Sequence, residues 1–92
     1  MKRKYNVLIV DDEFLARKLL SEYVSKIDFL NLIDTCSDAT QAMEVLNDNE
    51  VDIILLDIQM PEISGMEMLK LLNKKTSVIL TTAYSEYAVD AF

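Results

Sequence analysis

Three aspartates stand where hydrophobic runs of the sequence end. Asp11 and Asp12 directly follow the run 6–10 (NVLIV), and Asp57 directly follows the run 53–56 (IILL). Runs this short and apolar are typical of strands covered on both faces, as parallel strands are, so each acid would lie where a strand leaves the core. Carboxylates that meet at such a point can bind a metal ion, and a carboxylate screened by a metal can attack phosphorus.

The composition excludes several other kinds of site. The sequence has no His, one Cys (Cys36) and one Gly. Ser-His-Asp and Cys-His catalytic groups, His-containing zinc sites, an internal disulfide and glycine-rich phosphate loops are therefore excluded within these residues. We assign Cys36 to packing, and the chemistry rests on Asp and Glu.

The charge and hydropathy of the chain limit its partners. Sixteen acidic and nine basic side chains give a net charge of −7, which argues against direct binding of nucleic acid by this segment. No stretch approaches the roughly 18 apolar residues of a membrane span, and nothing near Met1 resembles a signal peptide. With its single cysteine, the sequence predicts a cytoplasmic protein without membrane contact.

Strand and helix patterns alternate along the chain. Strands are predicted over 6–10, 30–36, 53–56 and 77–80, the second of them more polar and suited to a sheet edge. Apolar residues at helical spacing predict helices over 14–27 and from Ala39, and Ser64 with Glu67 forms a capping box that opens a helix through Leu72. This order predicts one α/β domain with a parallel sheet and right-handed crossovers.

All strands of a parallel sheet end at one edge, which gathers the polar residues that follow them. Asp11, Asp12, Asp57, Thr81 and Thr82 all belong there, and the acids face each other if the first and third strands are neighbours. Two carboxylates about 4 Å apart repel by roughly 4 kcal/mol at an effective dielectric of 20. Such a cluster should retain a proton or recruit a cation.

The basic residues of the chain do not supply that cation in the predicted layout. Five of them precede strands and belong at the opposite edge of the sheet: Lys2, Arg3, Lys4, Lys74 and Lys75. Four lie in helices expected to point away from the acids: Arg17, Lys18, Lys26 and Lys70. A few oxygen ligands with positions left for water and phosphate describe a Mg²⁺ site better than a Ca²⁺ site.

Each of these residues also has a purely structural interpretation. Asp11 or Asp12 would serve equally well as the N-cap of the following helix, although two adjacent acids exceed what a cap requires. Asp57 would be an ordinary solvated strand end, and Thr82 a β-branched strand terminus. The metal-site interpretation rests on their joint placement.

Three segments resemble the receiver domain of two-component response regulators. They are VLIVDDE (7–13), DIILLDIQMPEISGMEML (52–69) and VILTTAY (78–84), in the order and on the elements of that family, and the resemblance covers residues 1–92. It implies a flavodoxin-like (CheY-like) doubly wound parallel sheet with strand order 2-1-3-4. It also implies a signalling module that accepts a phosphoryl group from a histidine kinase in trans, and not an enzyme acting on other substrates.

The resemblance further assigns roles to single residues. Asp57 would be the phosphoacceptor, and Asp12 and Asp57 would bind Mg²⁺ with Asp11 acting partly through water. The backbone carbonyl of Gln59 would complete the protein ligands, and the hydroxyl of Thr82 would bond to the phosphoryl group.

The last segment, TTAYSEYAVDAF (81–92), resembles receivers joined to a LytTR-type DNA-binding domain. That implies an output domain beyond Phe92 and regulation of transcription by the parent protein. Receivers of the family have one more strand and helix, so residues 1–92 are expected to be a receiver cut after the start of its fourth helix. The uncovered fourth strand then predicts self-association.

Three other functions compete with this one. A haloacid-dehalogenase-like phosphatase also uses an Asp nucleophile with Mg²⁺, but it requires an Asp where this sequence has Gln59. A nucleotide- or flavin-binding module needs a Gly- or Ser/Thr-rich loop after the first strand, where this chain has acids. A receiver-like interaction module that is never phosphorylated would not need the intact acids.

Overall fold

The computed structural model describes residues 3–57 and 76–81. Its helices and strands are, in chain order, β1 (Tyr5–Val10), α1 (Phe14–Ser25), β2 (Leu30–Cys36), α2 (Ala39–Asp48), β3 (Ile53–Asp57) and β4 (Ser77–Thr81). The strands match the predicted runs, and α1 ends at Ser25 where the apolar pattern extended to Ile27. The predicted helix from Ser64 to Leu72 lies outside the described residues.

The four strands form one parallel sheet in the order β2-β1-β3-β4. This confirms the predicted order. The sheet grows from β1 toward β2 on one side and toward β3 and β4 on the other, so β1 lies beside β3. In the register of that pair, Val7 is opposite Ile53 and Val10 is opposite Leu56. The ends of the two strands therefore meet at the same edge, as parallel pairing requires.

Helices α1 and α2 cover opposite faces of the sheet, and this explains the unbroken apolar runs. Successive residues of β1 point to opposite faces, and each of Val7, Leu8, Ile9 and Val10 is fully buried. On the α2 face the buried cluster comprises Leu8, Val10, Cys36, Ala39, Ala42, Val51, Ile54 and Leu56. On the α1 face it comprises Val7, Ile9 and Val24. The assignment of Cys36 to packing is confirmed.

Strand β2 is an outer strand of the described sheet, as its polar sequence predicted. Asn31 and Asp34 are exposed on it. The register with β1 shifts between Val7 and Leu8, which pair with Leu32 and Asp34, so Ile33 is an extra residue in β2. Such a bulge bends an outer strand locally and is tolerated where only one neighbour must be paired.

Asp52 organises the opposite end of the sheet, where β1, β3 and β4 begin. Its Oδ2 accepts a hydrogen bond from the backbone N–H of Asn6 at 2.8 Å, and its own N–H donates to the Asn6 carbonyl at 2.9 Å. The N–H of Ser77 donates to the Asp52 carbonyl at 2.9 Å. Arg3 lies 3.5 Å from Asp52 Oδ1, so this basic residue is at the edge that the sequence predicted.

The start of α2 is fixed by side-chain hydrogen bonds. Asp38 is the N-cap, and its Oδ1 accepts from the N–H of Gln41 at 2.8 Å. Gln41 Oε1 in turn accepts from the N–H of Ser37 at 3.0 Å. This arrangement resembles a capping box and positions the helix that packs against β2 and β1. Among residues 3–57 and 76–81, no helix has the length and hydrophobicity required to cross a bilayer.

Candidate metal centre

Asp11, Asp12 and Asp57 come together at the carboxyl ends of β1 and β3. Each offers one carboxylate oxygen, and these three oxygens lie within 4.8 Å of one another. Asp11 is buried, Asp57 is half-buried and Asp12 is exposed, so the group opens to solvent on one side. The predicted convergence of the three acids is confirmed, and it follows from the pairing of Val10 with Leu56 one residue before the acids.

Asp11 is held in place by three hydrogen bonds. Its N–H donates to the Cys36 carbonyl at 3.0 Å, which extends the β1–β2 pairing by one residue. Its Oδ1 accepts from the N–H of Glu13 at 2.9 Å, and its carbonyl accepts from Arg17 Nη1 at 2.9 Å. The carboxylate of Asp11 therefore has a fixed direction before any ligand arrives.

Neither Asp11 nor Asp12 is the N-cap of α1. That position belongs to Glu13, which makes no side-chain capping hydrogen bond, and the Glu13 carbonyl accepts the N–H of Arg17 at 3.1 Å. The capping interpretation of the two acids is therefore wrong. The helix begins one residue later than a cap at Asp12 would require. The side chains of both acids therefore lie at the edge of the sheet without capping the helix.

The expectation that Arg17 points away from the acids is also wrong. Side chains of a helix lean toward its N-terminus, and a long one spans more than a turn. The Arg17 guanidinium thus reaches the Asp11 carbonyl and lies 5.8 Å from the centre of the Phe14 ring, three residues earlier. The spacing of Phe14 and Arg17 places an aromatic ring and a guanidinium on one face of the helix, but it does not by itself predict the contact with the Asp11 carbonyl.

Thr81 lies beside the phosphoacceptor candidate. It is directly opposite Asp57 in the register of β3 and β4, and its buried Oγ1 has no hydrogen-bond partner in the part of the chain that the structure describes. The sequence placed Thr81 at this edge but gave it no role. Gln59 and Thr82 lie outside the described residues, so their assignments stay predictions.

The donor set of this centre fits Mg²⁺. At a separation of 4.8 Å, two unit charges repel by about 3 kcal/mol at an effective dielectric of 20, which a divalent cation would offset. The ligand atoms are all carboxylate oxygens, which suit Mg²⁺, and the exposed side leaves room for water. A few carboxylates with water in the remaining positions describe the way Mg²⁺ is usually bound, whereas Ca²⁺ sites supply most of six to eight oxygens.

The backbone of Cys36 contacts this centre, because its carbonyl accepts the N–H of Asp11. The thiol of the same residue has a different role. Burial raises the pKa of the Cys36 thiol to about 11, and the charges of Asp34 and Asp38 act in the same direction. The thiol therefore stays protonated at neutral pH. A protonated thiol in the core is a packing group and not a metal ligand.

Sequence comparison relates the chain to known proteins. The profile of the response regulator receiver domain matches residues 7–92. An uncharacterized response regulatory protein of Shewanella oneidensis is 40% identical over 87 residues, covering 92% of this chain and 37% of that protein. The transcriptional regulatory protein BtsR of Escherichia coli is 39% identical over 88 residues, covering 94% and 37%. The chain thus spans little more than a third of the length of these curated relatives.

Solved structures share the fold. The crystal structure of the Thermotoga maritima response regulator TrrA in complex with Mg²⁺ and BeF superposes with a TM-score of 0.80 at 36% identity, covering 94% of this chain and 76% of that one. The response regulator domain of Thermotoga maritima CheB superposes with a TM-score of 0.83 at 28% identity, covering 97% and 71%. Since the family profile spans nearly the whole chain and these receivers share its sheet, the protein belongs to the response regulator receiver domain family.

Proposed function

We propose that this chain is the phosphoacceptor module of a two-component system, in which Asp57 receives a phosphoryl group from a histidine kinase in a Mg²⁺-dependent reaction. The observation that carries the proposal is the convergence of Asp57 with Asp11 and Asp12 within 4.8 Å. A receiver with 36% identity was crystallised with Mg²⁺ and BeF, which supports a metal at this position.

In the proposed reaction, an oxygen of the Asp57 carboxylate attacks the phosphorus of a phosphohistidine. The P–N bond breaks, its electron pair returns to the imidazole nitrogen, and an acyl phosphate forms on Asp57. Strand β3 fixes the backbone of Asp57, which limits the directions that its carboxylate can take during the attack. The hydroxyl of Thr82 would donate a hydrogen bond to a phosphoryl oxygen.

The residues proposed to hold Mg²⁺ are Asp11, Asp12, Asp57 and the backbone carbonyl of Gln59. When bound, Mg²⁺ would offset the negative charge of the acids and of the incoming phosphoryl oxygens. Asp11 is already oriented by its bonds to Glu13 and Arg17. Asp11 would contribute a carboxylate whose direction is already set, with part of its contact made through water, and the exposed Asp12 would adjust when the ion binds.

We further propose that the parent protein regulates transcription through an output domain. BtsR is named a transcriptional regulatory protein, and this chain matches 37% of it. The net charge of −7 supports an indirect role for this segment, with DNA contacted by the output domain. The proposed location is the cytoplasm, where histidine kinases present their phosphohistidine.

Self-association through β4 is part of the same proposal. β4 is an outer strand of the described sheet, and Ile79 on it is 53% exposed. An outer strand with an exposed apolar side chain is suited to pairing with another copy. Sedimentation over a range of concentrations should show a dimer or larger species, and a monomer at every concentration would contradict this element.

A titration with Mg²⁺ and then beryllofluoride, followed by thermal unfolding, tests the function. Each ligand should raise the melting temperature of the wild-type chain, because each binds the folded state alone. Asp57→Asn should lose the beryllofluoride increment, and Asp28→Asn, which removes an exposed acid elsewhere, should keep both. A wild-type chain that responds to neither ligand would contradict the proposal and favour a receiver-like interaction module that is not phosphorylated.

A further inference from the structure

We propose that Arg17 is a positioning residue of the metal centre, which sets the affinity for Mg²⁺ by fixing the peptide between Asp11 and Asp12. The inference rests on the proposed function, since it concerns the same site. Arg17 lies on α1 and contacts the backbone of the acid pair. Within the described residues, its guanidinium makes no contact with a carboxylate.

The hydrogen bond from Arg17 acts on the orientation of both acids. The carbonyl that accepts from Arg17 Nη1 at 2.9 Å is that of Asp11, so it belongs to the peptide that links Asp11 to Asp12. Because a peptide unit is planar, a hydrogen bond to its oxygen restricts rotation of the whole unit and with it the positions of both Cα atoms. This restricts the direction of the Asp11 carboxylate relative to the Asp12 carboxylate, since one peptide bond joins the two residues.

No backbone group of the helix can replace Arg17 in this contact. The hydrogen-bond ladder of α1 begins at the Glu13 carbonyl, which accepts from the N–H of Arg17, so the Asp11 carbonyl lies two residues before the ladder. A side chain must reach back to it. The guanidinium is suited to this because it is planar and carries N–H donors in fixed directions, unlike the rotating ammonium of Lys.

The Phe14 ring also lies against the Arg17 guanidinium. The distance from the Arg17 guanidinium carbon to the Phe14 ring centre is 5.8 Å, and Phe14 is 67% exposed. A cation–π contact at an exposed position restricts the rotamer of the arginine at the cost of leaving the ring in solvent. The exposure of the Phe14 ring at the first position of α1 is thus explained by its contact with Arg17.

The sign of the effect on Mg²⁺ affinity separates positioning from simple charge. A positive charge near three carboxylates opposes the binding of a divalent cation, so removing it should tighten Mg²⁺ binding if charge were the only effect. Loss of a residue that orients metal ligands weakens binding, typically about tenfold or more. The two roles therefore predict opposite changes in Kd.

Calorimetric titration of MgCl₂ into four forms of the chain makes the test. The forms are wild type, Arg17→Met, Arg17→Lys and Lys18→Met, the last a control that removes an exposed charge at the next position of the same helix. We expect Arg17→Met to weaken Mg²⁺ binding by about tenfold, as measured for ligand-orienting partners in other metal sites. Arg17→Lys should lie between Arg17→Met and wild type, and Lys18→Met should stay close to wild type.

A second readout reports on positioning before metal is added. The amide of Glu13 donates to Asp11 Oδ1 at 2.9 Å, so its NMR resonance should move in Arg17→Met without Mg²⁺ and stay in place in Lys18→Met. Mg²⁺ binding by Arg17→Met that equals or exceeds wild type would overturn the inference. If Arg17→Met does not fold, a Kd of Arg17→Lys equal to wild type overturns it and a raised Kd supports it. A wild-type chain that binds no Mg²⁺ would overturn the proposed function itself.

Discussion

Asp57 and Thr81 are directly opposite each other in the register of β3 and β4, and within residues 3–57 and 76–81 the buried Thr81 hydroxyl has no hydrogen-bond partner. Leaving a buried hydroxyl unpaired costs about 1–3 kcal/mol, so the isosteric change Thr81→Val should raise the free energy of unfolding by about 1 kcal/mol. Urea unfolding of the two forms measures this. A loss of stability in Thr81→Val would mean that the hydroxyl finds a partner in solution.

The crowding of the three carboxylates should be visible in the stability of the metal-free chain. Asp12→Asn removes one charge from a group whose oxygens lie within 4.8 Å, so the melting temperature in EDTA should rise. The same variant should lose most of the increase that Mg²⁺ gives to wild type, because a ligand has been removed. Thermal unfolding with and without Mg²⁺ measures both effects.

Asp28→Asn provides the matched control for Asp12→Asn. It removes an equal charge from an exposed position outside the centre, so it should leave the Mg²⁺ increment unchanged. If Asp12→Asn were destabilised in EDTA and kept the full Mg²⁺ increment, Asp12 would not belong to the metal centre.

Asp52 should contribute far more to stability than its ion pair suggests. Asp52→Ala removes the acceptor of the Asn6 N–H at 2.8 Å, and hydrogen bonds to charged groups contribute about 1.5–3 kcal/mol. Arg3→Ala removes only a 3.5 Å contact made by a side chain that is 72% exposed, so it should have little effect. Equal losses of unfolding free energy in the two variants would contradict this division.

The Cys36 thiol should make stability depend on alkaline pH. Burial raises its pKa from the ordinary value of 9.0 to about 11 in the folded chain. Ionisation therefore favours the unfolded chain, and the contribution that is complete below pH 9 is lost as the pH rises toward 11. The wild type should lose stability over this range more steeply than Cys36→Ala, as measured by urea unfolding. Parallel slopes would show that the thiol does not ionise on unfolding.

The sequence predicted those parts of the fold that follow from local patterns. The strand order followed from the resemblance to receivers, and the structure confirms it. The acids that end two of the apolar runs could face each other only if β1 and β3 were neighbours, which local patterns alone do not decide. The end of α1 at Ser25 was not predictable, because Ile27 continues the apolar period even though the helix has already stopped. The extra residue Ile33 in β2 was not predictable either, since its cause lies in the pairing of two strands and not in either one.

The cluster of Asp11, Asp12 and Asp57 was predictable from the sequence, but the contacts that support it were not. The position of these acids directly after apolar runs is enough to predict that they lie at one edge of a parallel sheet. The contact between Arg17 and the Asp11 carbonyl depends on one side-chain rotamer and on where α1 begins, and neither is encoded in the spacing of charges. The unpaired hydroxyl of Thr81 depends likewise on the packing around it, which a single-chain pattern does not specify.

Phosphorylation of Asp57 is the most direct test of the function proposed for this chain. The wild-type chain, incubated with acetyl phosphate and Mg²⁺, should gain one phosphate by intact-mass analysis, and it should gain none when EDTA replaces Mg²⁺. Asp57→Ala should gain none under either condition, and Asp12→Ala should require more Mg²⁺ than wild type. Equal labelling of wild type and Asp57→Ala, or labelling that persists in EDTA, would contradict a Mg²⁺-dependent phosphoacceptor at Asp57.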